Sequence, residues 1–397
     1  MMASAFKILL PACWALGITL AAPTQHPLTG VPTVILHPYP TKQRLSFREN
    51  GNFKITIFSD LHFGENPDDG IGTVKDANST RLMRAFLRDE DPDYVVFNGD
   101  LITGEYTLKE NATLFIDQIL APLVEAEIAF SSTHGNHDNQ VNITHLDEIL
   151  REERIAPHSY TRAAPPGVGG VGGPGNYWVP IYSAVTDSAP ALILWFFDSR
   201  GGVSADGTPL PDWVDASVAG WISRETALMD AAWGHTPRSA LAFVHIAPHA
   251  IQAVQATLNS STDLGLNDDP LGDGSVQDSL GISDEDTSSS NKPINVAAGA
   301  RDAPFWEAVS GIPNLHAIIS GHAHGNEWCA REPGLGVRFC FNKHSGYGGY
   351  DKARWGHGVR NVMFSLSPTG DSRECTVLNV ETWIQLESGE QRSRVNL

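Results

Sequence analysis

Asp60 and His62 stand two residues apart in FSDLHFG, directly after the alternating apolar run FKITI. On an extended chain residues i and i+2 lean to the same face, so an acid and an imidazole are presented together. Four more clusters close short apolar runs in the same way. They are Asp100 in NGDLITG, Asn136 and His137 in GNHD, His245 in FVHIAPH, and His322 and His324 in SGHAHG. Asp60, Asp100, Asn136 and the imidazoles of His62, His245, His322 and His324 supply oxygen and nitrogen donors without a thiolate. That set suits Zn, Fe or Mn and argues against copper(I) or iron–sulfur chemistry. Seven donors exceed one tetrahedral zinc and suit two ions about 3.5–4 Å apart. Asp100 is the natural bridge, since a carboxylate has two oxygens.

Each fragment alone has a plainer reading. GD is commonly a turn, GNHD an Asn-based turn, and a single His245 a buried core imidazole. HIAPH also offers His249; His245 is preferred because it ends the apolar run. The weight lies in five clusters occurring together, each at the end of a predicted strand.

The elements that must position these residues follow an alternating rhythm. FKITIFSD, DYVVFNGD and IAFSSTHGNHD read as strands, with STRLMRAFLRDE and TLFIDQILAPLVEA as the helices between them. Short apolar runs continue in ALILWFFDS, SALAFVH, LHAIISGHAH and GVRFCFN, and VRNVMFSLS with ECTVLNVETWIQL reads as a hairpin. This pattern predicts an α/β layer architecture, in which ligands collect beyond the carboxyl ends of strands. Residues 163–176, AAPPGVGGVGGPGN, read as a flexible loop with no Lys-Ser/Thr ending to cradle phosphate. Residues 263–292 are polar and acidic, too poor in large apolar side chains to order themselves, and read as a surface insertion.

Composition narrows the function classes. The 397 residues include 46 acidic and 27 basic side chains, a formal net charge of −19 with no basic stripe. A nucleic-acid-binding surface is therefore not expected. Residues 1–22 read as a secretory signal peptide, with one early Lys7, an apolar stretch and cleavage after Ala21 or Ala22. No later stretch approaches the roughly 20 apolar residues of a membrane span. Residues 23–397 are then expected as one domain. Sequons at Asn78, Asn111, Asn142 and Asn259 agree with an extracellular, glycosylated product. Cys329 and Cys340, separated by a short turn, suit a hairpin disulfide in an oxidising compartment, leaving Cys375 unpaired and buried.

The ordered series DLH, GD, GNHD, a lone His and GHAH resembles the calcineurin-like metallophosphoesterase superfamily, over residues 54 to about 350. GHAHGNEWC followed by HSGYGGY looks like a subgroup of secreted and fungal phosphatases related to purple acid phosphatases. The resemblance implies two mixed β-sheets packed face to face with helices outside, which strand–helix alternation alone does not distinguish from a single doubly wound sheet. It implies one metal on Asp60, His62 and His324, another on Asn136, His245 and His322, and Asp100 between them. One position departs. Where purple acid phosphatases carry an iron-binding Tyr three residues after the bridging Asp, this chain has Thr103, so the purple chromophore is not expected.

The activity implied is hydrolysis of phosphate monoesters on a small molecule or peptide, with a phosphodiesterase or nucleotide-cleaving enzyme as the alternative. A secreted binding protein that keeps the fold without the chemistry is less favoured because all seven donor positions are filled, and a non-phosphate metallohydrolase because of the GNHD motif. His137, unused by the metals, is the expected general acid, with Asp138 or nearby backbone orienting its ring. The Gly-hinged stretch 343–358 is the expected substrate loop, with His344, Tyr347 and Arg354 as contacts, alongside Lys343, Tyr350 and Trp355. Trp328 is expected in the core.

Overall fold

The computed structural model describes residues 36–66, 70–259, 261–263, 265–277, 300–368 and 375–397. The expected signal peptide and most of the acidic insertion lie outside these residues. Among the described residues, two sheets are formed. One orders β1 (Leu45–Ser46), β5 (Tyr177–Tyr182), β6 (Leu192–Phe197), β7 (Ser239–Val244), β8 (Leu315–Ser320), β10 (Arg338–Phe341) and β9 (Cys329–Arg331). The other orders β13 (Gln391–Asn396), β12 (Cys375–Leu386), β11 (Gly358–Pro368), β2 (Asn52–Phe58), β3 (Tyr94–Asn98) and β4 (Phe130–Thr133). Both are mixed: β2, β3 and β4 run parallel, as do β6, β7, β8 and β10, while β11–β12–β13 form an antiparallel flank.

The sheets pack face to face because their strands alternate large apolar side chains on one face. Phe53, Ile55 and Ile57 of β2 and Tyr94 and Val96 of β3 meet Val179, Leu194, Phe196, Phe243 and Ile319 of the other sheet. The opposite faces are apolar as well, which is why the strands read as nearly continuous hydrophobic runs. Phe58, Val95 and Phe97 are covered by α1 (Ile71–Glu90) and α2 (Ala112–Glu125) through Leu82, Phe86, Ile116 and Ile119. On the other side Trp195 and Phe197 lie under Trp221 of α4 (Ser217–Trp233) and Phe305 of α6 (Ala303–Ser310). Truncating a core aromatic such as Trp221 to Ala costs about 3–5 kcal/mol. Two further helices, α3 (His145–Ile155) and α5 (Ala250–Gln255), follow β4 and β7.

Local chemistry explains what periodicity missed. The first two turns of α1, IGTVKDAN, lack apolar spacing and were not expected as helix. β5 carries Pro180 and was not expected as a strand; its outer neighbour β1 pairs only with Ile181 and Tyr182, so the missing N–H of Pro180 costs no ladder bond there. α3 begins on a reciprocal capping box, Thr144 with Asp147.

Two loop expectations are corrected. The Gly/Pro loop is not loose: Ala164 N–H donates to Pro174 O, Asn139 Nδ2 to Gly172 O, and Ser217 Oγ accepts from Gly169 N–H. Within the acidic insertion, residues 265–277 are stitched to the body: Gln277 is buried and bonds Val214 and Ile246, while Asp268 pairs with Lys352 at 3.0 Å. Cys329 and Cys340 are directly paired across β9 and β10 and form a disulfide. Cys375 opens β12, and its side chain lies outside the described residues. Trp328 is buried as expected.

Candidate metal centre

The five clusters come together, but from two sheets. Asp60, Asp100 and Asn136 follow β2, β3 and β4; His245 and His322 follow β7 and β8 of the other sheet. The strand argument for Asp60 and His62 needs correction. β2 ends at Phe58, so both residues lie beyond the pleat, and both are left-handed, with φ of 56° and 50°. Asp100 (φ 50°) and His322 (φ 70°) share this conformation. For non-glycine residues it costs of order 1–3 kcal/mol each and persists only where surroundings enforce it. Here the loops after β2 and β3 bind each other: Asp60 N–H to Gly99 O, Leu61 and His62 N–H to Asp100 O, Thr103 N–H to Phe63 O. Gly135 is required by close approach, since a Cβ there would lie 2.3 Å from Asp100 Oδ1 and 2.6 Å from His245 Nε2.

Asp60, His62 and His324 form one group whose donor atoms lie within 4.8 Å of one another, and Asp100, His245 and His322 form another. Each imidazole is turned inward by a partner on its far nitrogen. His324 Nδ1 donates to Tyr350 O (2.7 Å), His245 Nδ1 to Asn98 O (2.8 Å) and His322 Nε2 to Gly274 O (2.9 Å). His62 Nδ1 meets Thr103 Oγ1 at 3.2 Å. With the far nitrogen engaged, the other ring nitrogen of each is turned toward the centre. His62 Nε2 lies 3.2 Å from His324 Nε2, and His245 Nε2 lies 2.9 Å from Asp100 Oδ2. Asn136 Oδ1 is buried without a hydrogen-bond partner. Converging acceptors of this kind are reconciled by cations, and the donor set fits two transition-metal ions.

The charged groups of the site act strongly on one another. Burial pushes His62 down to about 3 despite the nearby Asp100 charge. Burial also opposes charge on His245, but Asp100 outweighs it and pushes the ring up to about 9. Asp100 in turn is held well below the usual carboxylate range, its burial outweighed by His245 and His137.

His137 is set apart from the donors. Its backbone N–H donates to Asp100 Oδ1 (2.9 Å), its ring lies 4.9 Å from that of His62, and its side chain is one-third exposed at 33%. The orienting partner differs from the expected one. Glu105 Oε1, 2.7 Å away, holds His137 Nδ1, whereas both Asp138 oxygens accept backbone N–H groups, from Gly135 and Ile102. Burial disfavours the imidazolium, but Asp100 and Glu105 raise the ring to about 9. Glu105 was missed because it lies in a 3-10 turn after the GD motif, with no spacing signal.

His249 stays away from the donors, bonded through its backbone and ring to Asp302. The stretch 343–358 buttresses the centre. His344 is buried and stacks on His324 at 4.3 Å, and Tyr350 stacks on its other side at 4.1 Å. Arg354 pairs with Asp268, Tyr347 with Glu387, and Trp355 and Lys343 are buried. None of these lines the open cleft beside the centre. That cleft, about 530 Å³, is lined by Asn136, Gly201, Trp213, Arg301 and His322, with Arg301 4.8 Å over the Trp213 ring. The signal available was DSRGG, the polar end of β6, to which no role was given.

Of the sequons, Asn259 is exposed, whereas the Asn142 amide donates to Thr107 O. Asn78 lies within α1, and Asn111 stands just before α2, its Oδ1 accepting from Leu108 N–H. Among the described residues, no helix is long and apolar enough to cross a membrane.

This arrangement belongs to a known class. The calcineurin-like phosphoesterase family matches residues 53–326, and the chain belongs to that family. Among individual proteins, it is similar to one named probable inactive purple acid phosphatase 29 of Arabidopsis thaliana, 24% identical over 379 residues, 90% of this chain and 89% of that one. Phosphatase DCR2 of Saccharomyces cerevisiae is 29% identical over 187 residues, 44% of this chain and 32% of that one. A dimetal phosphatase structure from Danio rerio aligns with a TM-score of 0.45 and 11% identity, covering 87% of this chain and 98% of that one.

Proposed function

We propose that the protein is a secreted phosphatase that hydrolyses phosphate monoesters at two metal ions. The observation that carries this reading is the convergence of six donors in two adjoining groups, with the orphaned Asn136 Oδ1 beside His322 in the cleft. Asp60, His62 and His324 would hold one ion, Asn136, His245 and His322 the other, with Asp100 between them. Such ions, when bound, supply hydroxide near neutral pH and neutralise phosphate oxygens. His137 would give its ring proton to the leaving alkoxide oxygen, and its Nδ1 contact with Glu105 supports that role. Trp213 offers a flat ring beside the centre, a match for an aromatic leaving group.

The word inactive in the names of some relatives describes those proteins; here every expected donor position is filled. Secretion is supported by the leader-like residues 1–22 and by the Cys329–Cys340 disulfide, which persists in oxidising compartments. The open cleft favours a second reading, cleavage of phosphodiesters or nucleotides. Purified protein is therefore given the monoester and the diester of one chromogenic phenol. Faster release from the monoester supports the first reading, preference for the diester the second, and no release from either sinks both.

A further inference from the structure

Behind the centre lies a second cluster that the proposed reaction does not use. His134 follows β4, His145 opens α3, Glu148 is one turn further, and Asp198 follows β6; all four are fully buried. His145 Nε2 lies 2.8 Å from Gly135 O, which can only accept, so Nε2 carries a hydrogen. Its other nitrogen, Nδ1, sits 3.0 Å from both oxygens of Asp198. Backbone groups aim that carboxylate: Gly175 N–H donates to Oδ2 (2.9 Å) and Arg200 N–H to Oδ1 (2.8 Å).

An imidazolium at His145 would satisfy Asp198, but it leaves the rest of the cluster unexplained. His134 stacks on His145 at 5.1 Å, and neither of its ring nitrogens has a hydrogen-bond partner. Glu148 Oε2 is 3.7 Å from His134 Nε2, and neither Glu148 oxygen has a partner. These are four orphaned polar atoms at one buried place, where native interiors leave very few. The space beside His134 is kept clear by Gly175. A Cβ there would stand 3.1 Å from Asp198 Oδ2 and 3.2 Å from His134 Nδ1.

We propose that His134, His145 and Asp198 bind a third divalent transition metal, of the zinc class, separate from the two ions of the phosphate site. One donor atom from each lies within 4.8 Å of the others. Two imidazoles and a carboxylate without thiolate are a zinc-type donor set. Gly135 O, accepting from His145 Nε2, repeats the outer partner that orients a metal-bound imidazole. The ion would brace the chain just before Asn136, tying β4 to α3 and to the end of β6.

The test is elemental analysis of chelator-stripped protein reloaded with Zn²⁺, for wild type, His134→Leu and His145→Arg. Each variant is expected to hold one ion fewer per chain than wild type. His145→Arg keeps a cation opposite Asp198 and a donor for Gly135 O, so it carries the result if His134→Leu fails to fold. Because the reading is a difference of one ion, it does not depend on how fully the phosphate site loads. An unchanged count in His145→Arg, or loss of two or more ions together, overturns the assignment.

Discussion

His62 Nε2 and His324 Nε2 lie 3.2 Å apart although 262 residues separate them in the chain. Their far nitrogens are held by Thr103 Oγ1 and Tyr350 O. Two lone pairs pressed together in a buried site are repulsive unless a cation lies between their axes. Ions bound only to the folded state stabilise it by about 4 kcal/mol when free metal exceeds Kd a thousandfold. Chelation is therefore expected to lower the melting temperature, and added Zn²⁺ or Mn²⁺ to restore it. A melting curve that ignores chelator would count against a metal centre.

His137→Ala is expected to reduce kcat by about 10²–10⁴, the usual worth of a positioned proton donor, while the metal content stays that of wild type. Glu105→Gln keeps the ring in place with a neutral partner and is expected to lose less. If His137→Ala sheds its ions, His137 is a ligand and the assigned role fails.

Thr103 is buried and hydrogen-bonded to the ring of His62. Thr103→Val removes that partner and should destabilise the protein by about 1–3 kcal/mol, measurable by denaturant unfolding. The same position bears on colour. With threonine there, iron-loaded protein is expected to lack the visible tyrosinate band, and a purple preparation would contradict the reading.

Trp213 lines the cleft under the Arg301 guanidinium. Ring stacking is worth about 0.5–1.5 kcal/mol, so Trp213→Ala should raise KM for an aromatic phosphate ester by up to about tenfold. KM for a small alkyl phosphate should stay unchanged. Equal effects on both esters would mean that the ring does not read the leaving group.

Asp76 on α1 is buried and, among the described residues, its carboxylate accepts the Gly64 N–H, at 3.2 Å and 3.3 Å. Burial, against that hydrogen bond, pushes its carboxyl up to about 6. An acid whose pKa is higher folded than unfolded favours the folded state when protonated. Its contribution is thus fully present below about pH 4 and lost as pH rises through about 6. Asp76→Asn should therefore raise the melting temperature at pH 7–8 and change it little at pH 4. A gain independent of pH would refute this account.

How much of this was legible beforehand depends on range. Donor types, their order and their position after apolar runs are local properties, so Asp60, His62, Asp100, Asn136, His245, His322 and His324 could all be named from residue chemistry and spacing. The choice of His245 over His249 rested on where an apolar run ended, and β7 ends at Val244. Helix α1 and strand β5 were misjudged because a polar first turn and an interior proline hide the periodicity that burial imposes.

Other features exist only once the chain has folded. Three strand ends of one sheet and two of another meet at the centre, and no local signal says which strand joins which sheet, because pairing depends on faces that become buried together. The left-handed turns at Asp60, His62, Asp100 and His322 are strained and survive only because neighbouring loops bind them. Glu105, Trp213, Arg301 and the buried His134 cluster owe their places to contacts made across the fold. Sequence determined which chemistry was available; tertiary packing decided which groups face one another, because hydrogen bonds and lone pairs act over a few ångströms of space and not along the chain.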